Sequence, residues 1–259
     1  MTITYDILLE DLLVLVLIMM RIASFVYTAP FFNTSNTPRK VKIGFAFFVS
    51  LLVYGLYPDM TLEYNGLAGY TALVLKEVIV GLLLGAVGNF TIQIIHFAGK
   101  FMDMDIGLSM AQIMDPTNHV QTGILGSIYY YIVMMLLIVS GLHRYLITAI
   151  VDTYELIGIG AMSPNLSLYH SILEFVSDYF VIGFRITLPI FSCMLILNCV
   201  LAILAKIAPH MNMFVVGMQL KILGGISVLM FVVYMMPSVA NFLYMEIKDI
   251  MLKVIEGLM

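Results

Sequence analysis

The sequence predicts an all-α membrane protein built from helical hairpins. Of its 259 residues, 62% are hydrophobic and only 11% are charged, where water-soluble domains carry about 25% charged residues. Mean hydropathy is +1.04. A water-soluble fold would have to expose part of this apolar surface, so lipid is the matching solvent. The apolar residues also fall into long runs, near the roughly 20 residues that a spanning helix needs.

Six runs are expected to span: 12–32, 41–57, 67–97, 123–150, 179–205 and 213–245. The head before the first is acidic, with Asp6, Glu10 and Asp11. A cleavable signal needs Lys or Arg there, so 12–32 is expected to remain as an anchor. The second run is short. The third would extend roughly 46 Å as a straight helix, well beyond a hydrocarbon core of about 30 Å. Tilt, a break or burial in an assembly must absorb the excess.

Charge alternates between the runs. Arg39, Lys40 and Lys42 occupy the first loop; Asp59 and Glu63 occupy the second. Lys100, Asp103 and Asp105 share the third, Asp152, Glu155, Glu174 and Asp178 lie in the fourth, and Lys206 marks the fifth. The positive-inside bias puts loops one, three and five in the cytoplasm and both termini outside. Lys248 and Lys253, on the C-terminal tail, run against it. No basic run suits nucleic acid.

Cys193 and Cys199 stand six apart in an apolar run. They fall on different helix faces, which argues against a mutual disulfide, and C-x5-C is not a common zinc spacing. They read as small buried apolar residues. No hydrolase, zinc-protease or nucleotide-loop signature is present, and His96, His119, His143, His170 and His210 form no ligand pair. The chain is therefore expected to be neither an enzyme nor a cofactor carrier.

Four ionisable residues interrupt apolar runs: Arg21, Lys76, Glu77 and Arg185. Such groups face protein or a water cavity, or snorkel to an interface. Lys76 and Glu77 are about 100° apart on a helix, which predicts different partners. Gly81, Gly85 and Gly88 lie at i, i+4 and i+7, a face that lets another helix approach closely. The segment 103–121, "DMDIGLSMAQIMDPTNHVQ", is too apolar for a solvent loop and reads as a re-entrant segment. Its Asp spacing fails as a calcium loop because the twelfth position is Met114.

The stretch "LAKIAPHMNMFVVGMQLK", 204–221, sets polar groups between two very apolar runs. Pro209 stops the first helix. Asn212 can cap a second that begins at Met213. Residues 179–240 thus read as a helical hairpin with its tip at 206–212, and Lys206 suits the negative end of the first arm. Lys221 is not explained by capping.

That stretch resembles the signature of the FliR family, export-gate proteins of flagellar and injectisome type III secretion. Leu204, Lys206, Ala208, Pro209, Asn212, Phe214, Gly217 and Lys221 carry the match, and His210 departs from the usual Gln. "TAPFFNTSNTPRKVKIG" (28–44), "GLLLG" (81–85), "MDIGLSMAQIMDP" (104–116), "GLHR" (141–144) and "TLP" (187–189) follow the family in order.

The resemblance implies a fusion of a FliP-like portion, 1–150, with a FliQ-like hairpin portion, 151–259, in a helical export-gate assembly. It implies FliP-like, FliQ-like, FlhB-like and FlhA-like neighbours in the bacterial inner membrane, at the flagellar basal body, around unfolded protein substrates in transit. The loop near 106–121 would plug the channel, through Ile106, Gly107, Leu108, Met110, Ile113, Met114, Asp115 and Pro116. Subunit contacts would fall to Arg39, Lys40, Lys42, Lys76, Glu77, Gly81, Gly85, Arg185, Lys206, Pro209, Asn212 and Lys221. The competing reading is a secondary transporter for a small solute, with Arg21, Lys76, Glu77 and Arg185 as its polar site.

Overall fold

The computed structural model describes residues 2–34, 36–57, 62, 64–109, 123–210 and 212–259, leaving aside the side chains of 2–9, 213 and 214. The described residues form eight α-helices: α1 (Thr2–Thr28), α2 (Arg39–Leu56), α3 (Gly66–Ile106), α4 (Ile124–Val139), α5 (Leu142–Leu156), α6 (Leu166–Ile207), α7 (Met213–Val233) and α8 (Met236–Leu258). Four are long and apolar enough to cross a bilayer, within Glu10–Thr28, Gly66–Ile106, Leu166–Ile207 and Val215–Val233. The pair α4 and α5, bent by 65°, makes a fifth if counted together.

This corrects the expected six spans. Helix α2 falls below the spanning threshold. The run 123–150 breaks at Ser140–Gly141, where Gly141 adopts φ 82° at the N-cap of α5, a left-handed conformation natural to glycine. The run 213–245 breaks at Tyr234–Met235, just ahead of Pro237. Proline fits the first turn of a helix and disrupts an interior, so it marks the start of α8. The division expected after residue 150 falls within α5.

The chain packs as two compact units. The first comprises Met1–Thr91, Gly141–Phe175 and Met245–Met259; the second comprises Ile92–Ser140 and Val176–Tyr244. In the first, α1 buries Val14, Leu17, Ile18, Arg21, Ile22, Phe25 and Val26. Their spacing of three and four is one continuous helix face, and it carries an arginine in its middle. The end of α8 buries Ile247, Ile250, Met251, Val254, Ile255 and Leu258 with the same period. The residues expected to form a C-terminal tail are therefore a core helix. The amides of Ser163 and Asn165 bond to the carbonyls of Leu258 and Gly257, both at 3.1 Å. Asn165 Oδ1 in turn accepts from the Ser167 and Leu168 amides, 3.0 and 3.3 Å, capping α6.

In the second unit α6 and α7 form the hairpin that the sequence predicts, α6 ending at Ile207 and α7 starting at Met213. A Cβ on Gly224 would lie 2.5 Å from Leu197 Cδ1, and one on Gly217 would lie 3.4 Å from Leu201 Cδ1. These contacts align the two arms antiparallel. Cys193 is half-buried and Cys199 exposed, both as free thiols, so neither is the fully buried residue expected. Both stand on α6, most of whose apolar residues are exposed among the described residues.

Candidate functional site

The interrupting charges of the first unit close on one another. Arg21 is fully buried and Glu77 is 1% exposed. Their contact is bidentate, Nε to Oε2 at 2.6 Å and Nη2 to Oε1 at 3.0 Å. The rest of the guanidinium caps the end of α5. It donates to the carbonyls of Thr153 and Ile157, each at 3.2 Å, and of Gly158 at 3.4 Å, and to Thr153 Oγ1 at 3.1 Å. Cations at a helix C-terminus also favour the dipole. The Tyr154 ring lies 4.2 Å from Arg21 Cζ, and its hydroxyl donates to the Ile18 carbonyl at 3.0 Å. All five donors of Arg21 are thereby satisfied, which makes a buried arginine tolerable.

Lys76 and Glu77 take different main partners, as their separation around the helix predicts, Glu77 on Arg21 and Lys76 on the turn after α5, and they meet only at Gly160. Gly160 donates its amide to Glu77 Oε1 at 2.8 Å and accepts from Lys76 Nζ at 2.9 Å. The turn after α5 bends back to both, with Gly160 at φ 72°. Gly81 and Gly85 continue the same face of α3 against α1. A Cβ at Gly81 would lie 2.1 Å from the Arg21 carbonyl, and one at Gly85 would lie 2.1 Å from Thr28 Oγ1. Lys76, Glu77, Gly81 and Gly85 thus have partners inside this chain. Nothing in this arrangement holds an open coordination position, and no three His, Cys, Asp or Glu side chains converge on a metal site among the described residues.

The second unit holds the ends of the segment assigned to channel closure. Ile106 is the last residue of α3, 1% exposed, and its Cδ1 would lie 2.6 Å from a Cβ on Gly225 of α7. It is a helix-packing residue. Gly107 follows at φ 91° and leaves the helix, with half-buried Leu108 next. Met110, Ile113, Met114, Asp115 and Pro116 lie outside the described residues. The far end is gripped from α3. Asp103, 2% exposed, accepts the Leu125 amide at 3.2 Å on Oδ1, so it caps the N-terminus of α4 from another helix. A Cβ on Gly99 would lie 2.0 Å from Gly126 Cα, so the two helices touch through their backbones there. The sequence places Asp103 in the third loop, at the head of the segment 103–121, and no local signal links it to a turn 22 residues on.

At the hairpin tip Lys206, Pro209, His210 and Asn212 are all exposed. The Val216 amide bonds to the Asn212 carbonyl at 3.2 Å, so α7 starts where the sequence places it. Lys221, unexplained by capping, lies within Coulombic range of the Asp105 carboxylate on α3. Arg185 is the one intramembrane charge of the expected four that the fold leaves exposed. It borders a shallow groove of about 250 Å³ with Ile182, Ile186, Met235, Val239 and Phe242. Pro189, four residues on in α6, withholds the hydrogen bond that the Arg185 carbonyl would otherwise accept.

Residues 12–247 match the family described as bacterial export proteins, family 1. The chain belongs to this family, the FliR family of export proteins. It is 29% identical to the flagellar biosynthetic protein FliR of Bacillus subtilis over 225 residues, 85% of each chain. It is 27% identical to the Escherichia coli protein of the same name over 245 residues, 93% of this chain and 92% of that one. A third relative, from Pectobacterium carotovorum, is 27% identical over 241 residues.

Proposed function

We propose that this protein is a non-enzymatic subunit of the export gate for unfolded flagellar proteins in the bacterial inner membrane. Its helices form part of the channel wall, and the segment 107–121 is the plug. Family membership supports export, and the flagellar names of the relatives support the flagellar assignment. The observation that carries the subunit reading is the surface of α6. In the second unit, Val176, Phe180, Val181, Phe184, Leu188, Phe191, Leu195, Ile196, Val200, Ile203, Leu204 and Ile207 are all exposed. They run roughly 47 Å along the helix, and a bilayer core is about 30 Å thick. Even a 40° tilt leaves part of that face outside lipid. Sister subunits, FliP-like and FliQ-like, are the natural cover, with FlhB-like and FlhA-like proteins at the entrance.

The segment 107–121 suits a plug because both its ends are anchored. Ile106 is packed on α7 and the start of α4 is held by Asp103, so α3 and α4 each keep an anchor of their own on either side of it. Deleting 107–114 should leave assembly intact and make the membrane leaky to small ions. Unchanged conductance would remove the plug. The transporter reading loses three of its four polar residues to internal partners. It is tested by placing the purified chain alone in vesicles, where solute uptake would overturn the gate reading.

A further inference from the structure

Arg185 is an arginine on a long apolar helix to which the second unit brings no acid. It is exposed and has no carboxylate partner among the described residues. The first unit shows how this chain treats such a group. Arg21, also inside an apolar helix, takes a bidentate carboxylate from Glu77 on a neighbouring helix. Around Arg185 the described acids are committed or distant. Asp103 caps α4, and Asp105 lies within Coulombic range of Lys221. Asp178 stands two turns earlier on α6, roughly 10 Å along the axis. On α8 the first acid is Glu246, two turns past Ser238 and roughly 12 Å along that axis.

The groove beside Arg185 has the shape of a helix seat. Met235, Ser238, Val239 and Phe242 form one wall, a ridge of α8 at helical spacing, and Ile182 and Ile186 of α6 form the other. The ridge is roughly 10 Å long, two helical turns. Val181, Phe184 and Leu188, next to Arg185 on α6, are exposed and apolar. An apolar trough between two ridges is what a third helix packs into. The cation sets what that helix must carry, because a guanidinium covered by apolar side chains alone is a desolvated charge without compensation. A phospholipid headgroup site gathers several cations. The next lysine or arginine on α6 is Lys206, roughly 31 Å along the axis. Arg185 therefore asks for one carboxylate held among apolar groups.

We infer that this groove seats an apolar helix of a neighbouring gate subunit, and that one Asp or Glu on that helix pairs with Arg185. The guanidinium offers two parallel N–H groups to the two carboxylate oxygens. Pro189 supplies a second polar point, since it leaves the Arg185 carbonyl without its helical donor. A hydroxyl or amide side chain beside the neighbour's acid completes the contact there. The inference rests on the gate reading above and adds the groove used and the residue chemistry of the neighbour.

The test co-expresses the full-length chain with its FliP-like and FliQ-like sister subunits and places a benzophenone side chain at exposed Ser238. After illumination, mass spectrometry of the purified complex should find the cross-link on an apolar segment of a sister subunit that contains Asp or Glu. Arg185→Leu should cut the cross-link at least about tenfold, because it strands the neighbour's carboxylate. Arg185→Lys, which keeps the charge, should cut it no more than about threefold. Arg185→Glu combined with an arginine in place of the neighbour's acid should restore it. A purely apolar contact would tolerate leucine, so an unchanged cross-link in Arg185→Leu overturns the inference. So does a cross-link to lipid alone, or to a protein segment without an acid, and both are read on the unaltered Arg185 even if the leucine variant does not fold. An assembled complex with no cross-link at 238 removes this groove and leaves the gate reading standing. Failure of the unaltered chain to co-purify with either subunit removes both.

Discussion

Arg21 and Glu77 occupy sites that local pattern would assign to apolar residues, and their removal should be felt at once. Arg21→Met or Glu77→Met leaves a buried group without its partner, which typically costs about 3–5 kcal/mol. The double substitution should recover part of that loss and not all of it, because the carbonyls of Thr153, Ile157 and Gly158 stay uncapped. Unfolding of the three variants in mixed micelles measures the difference. Single variants as stable as the parent would show that the pair contributes no net stability. Glycine substitutions separate close approach from backbone freedom. Gly81→Ala drives a methyl into the Arg21 carbonyl and should cost about 1–3 kcal/mol by forcing α1 and α3 apart. Gly44→Ala in α2 meets nothing within 4 Å and should be neutral or stabilise by up to about 1 kcal/mol. Both follow from the same unfolding measurement.

Among the elements, α8 departs most from its sequence reading. Charges at Glu246, Lys248, Asp249, Lys253 and Glu256 make its second half resemble a solvated tail. Those charges lie between buried positions, and Lys253 rests on Asp249 at 2.9 Å and Glu174 at 3.4 Å. Such exposed pairs add little stability; the apolar stripe is what docks the helix. A chain ending at Tyr244 should therefore fail to accumulate, whereas Lys253→Ala should alter stability by less than about 1 kcal/mol. Normal expression of the truncated chain would mean that the first unit folds without the end of α8. Helix α6 has a simpler dependence on its cap: Asn165→Ala should cost about 1 kcal/mol, read as a lower unfolding midpoint.

For the whole molecule the decisive feature is the apolar surface that stays exposed among the described residues, above all on α6. Lys206 and Pro209 stand exposed at the hairpin tip. Lys206→Ala and Pro209→Leu should consequently reduce recovery of sister subunits several-fold in co-purification while moving the unfolding midpoint of the isolated chain little. Normal recovery with both variants would remove the tip as a docking point. The hairpin and its tip were legible in sequence because Pro209 and Asn212 act on their own neighbours. The spans were less so. Hydropathy counts apolar residues without regard to a single backbone angle, so it joined α4 to α5 across Gly141 and α7 to α8 ahead of Pro237.

The sequence by itself determined the helical class, the membrane as solvent, the hairpin of α6 and α7, and membership of an export family, since composition, periodicity and short motifs all act over neighbouring residues. Only the tertiary structure decided that Arg21 meets Glu77, 56 residues away, and that Gly160 serves Lys76 and Glu77 together. It also decided that Asp103 caps α4 and that the C-terminal residues belong to a core. The reason is one of range. A buried charge is tolerable only if distant segments bring it donors and acceptors, and no window along the chain contains those segments together.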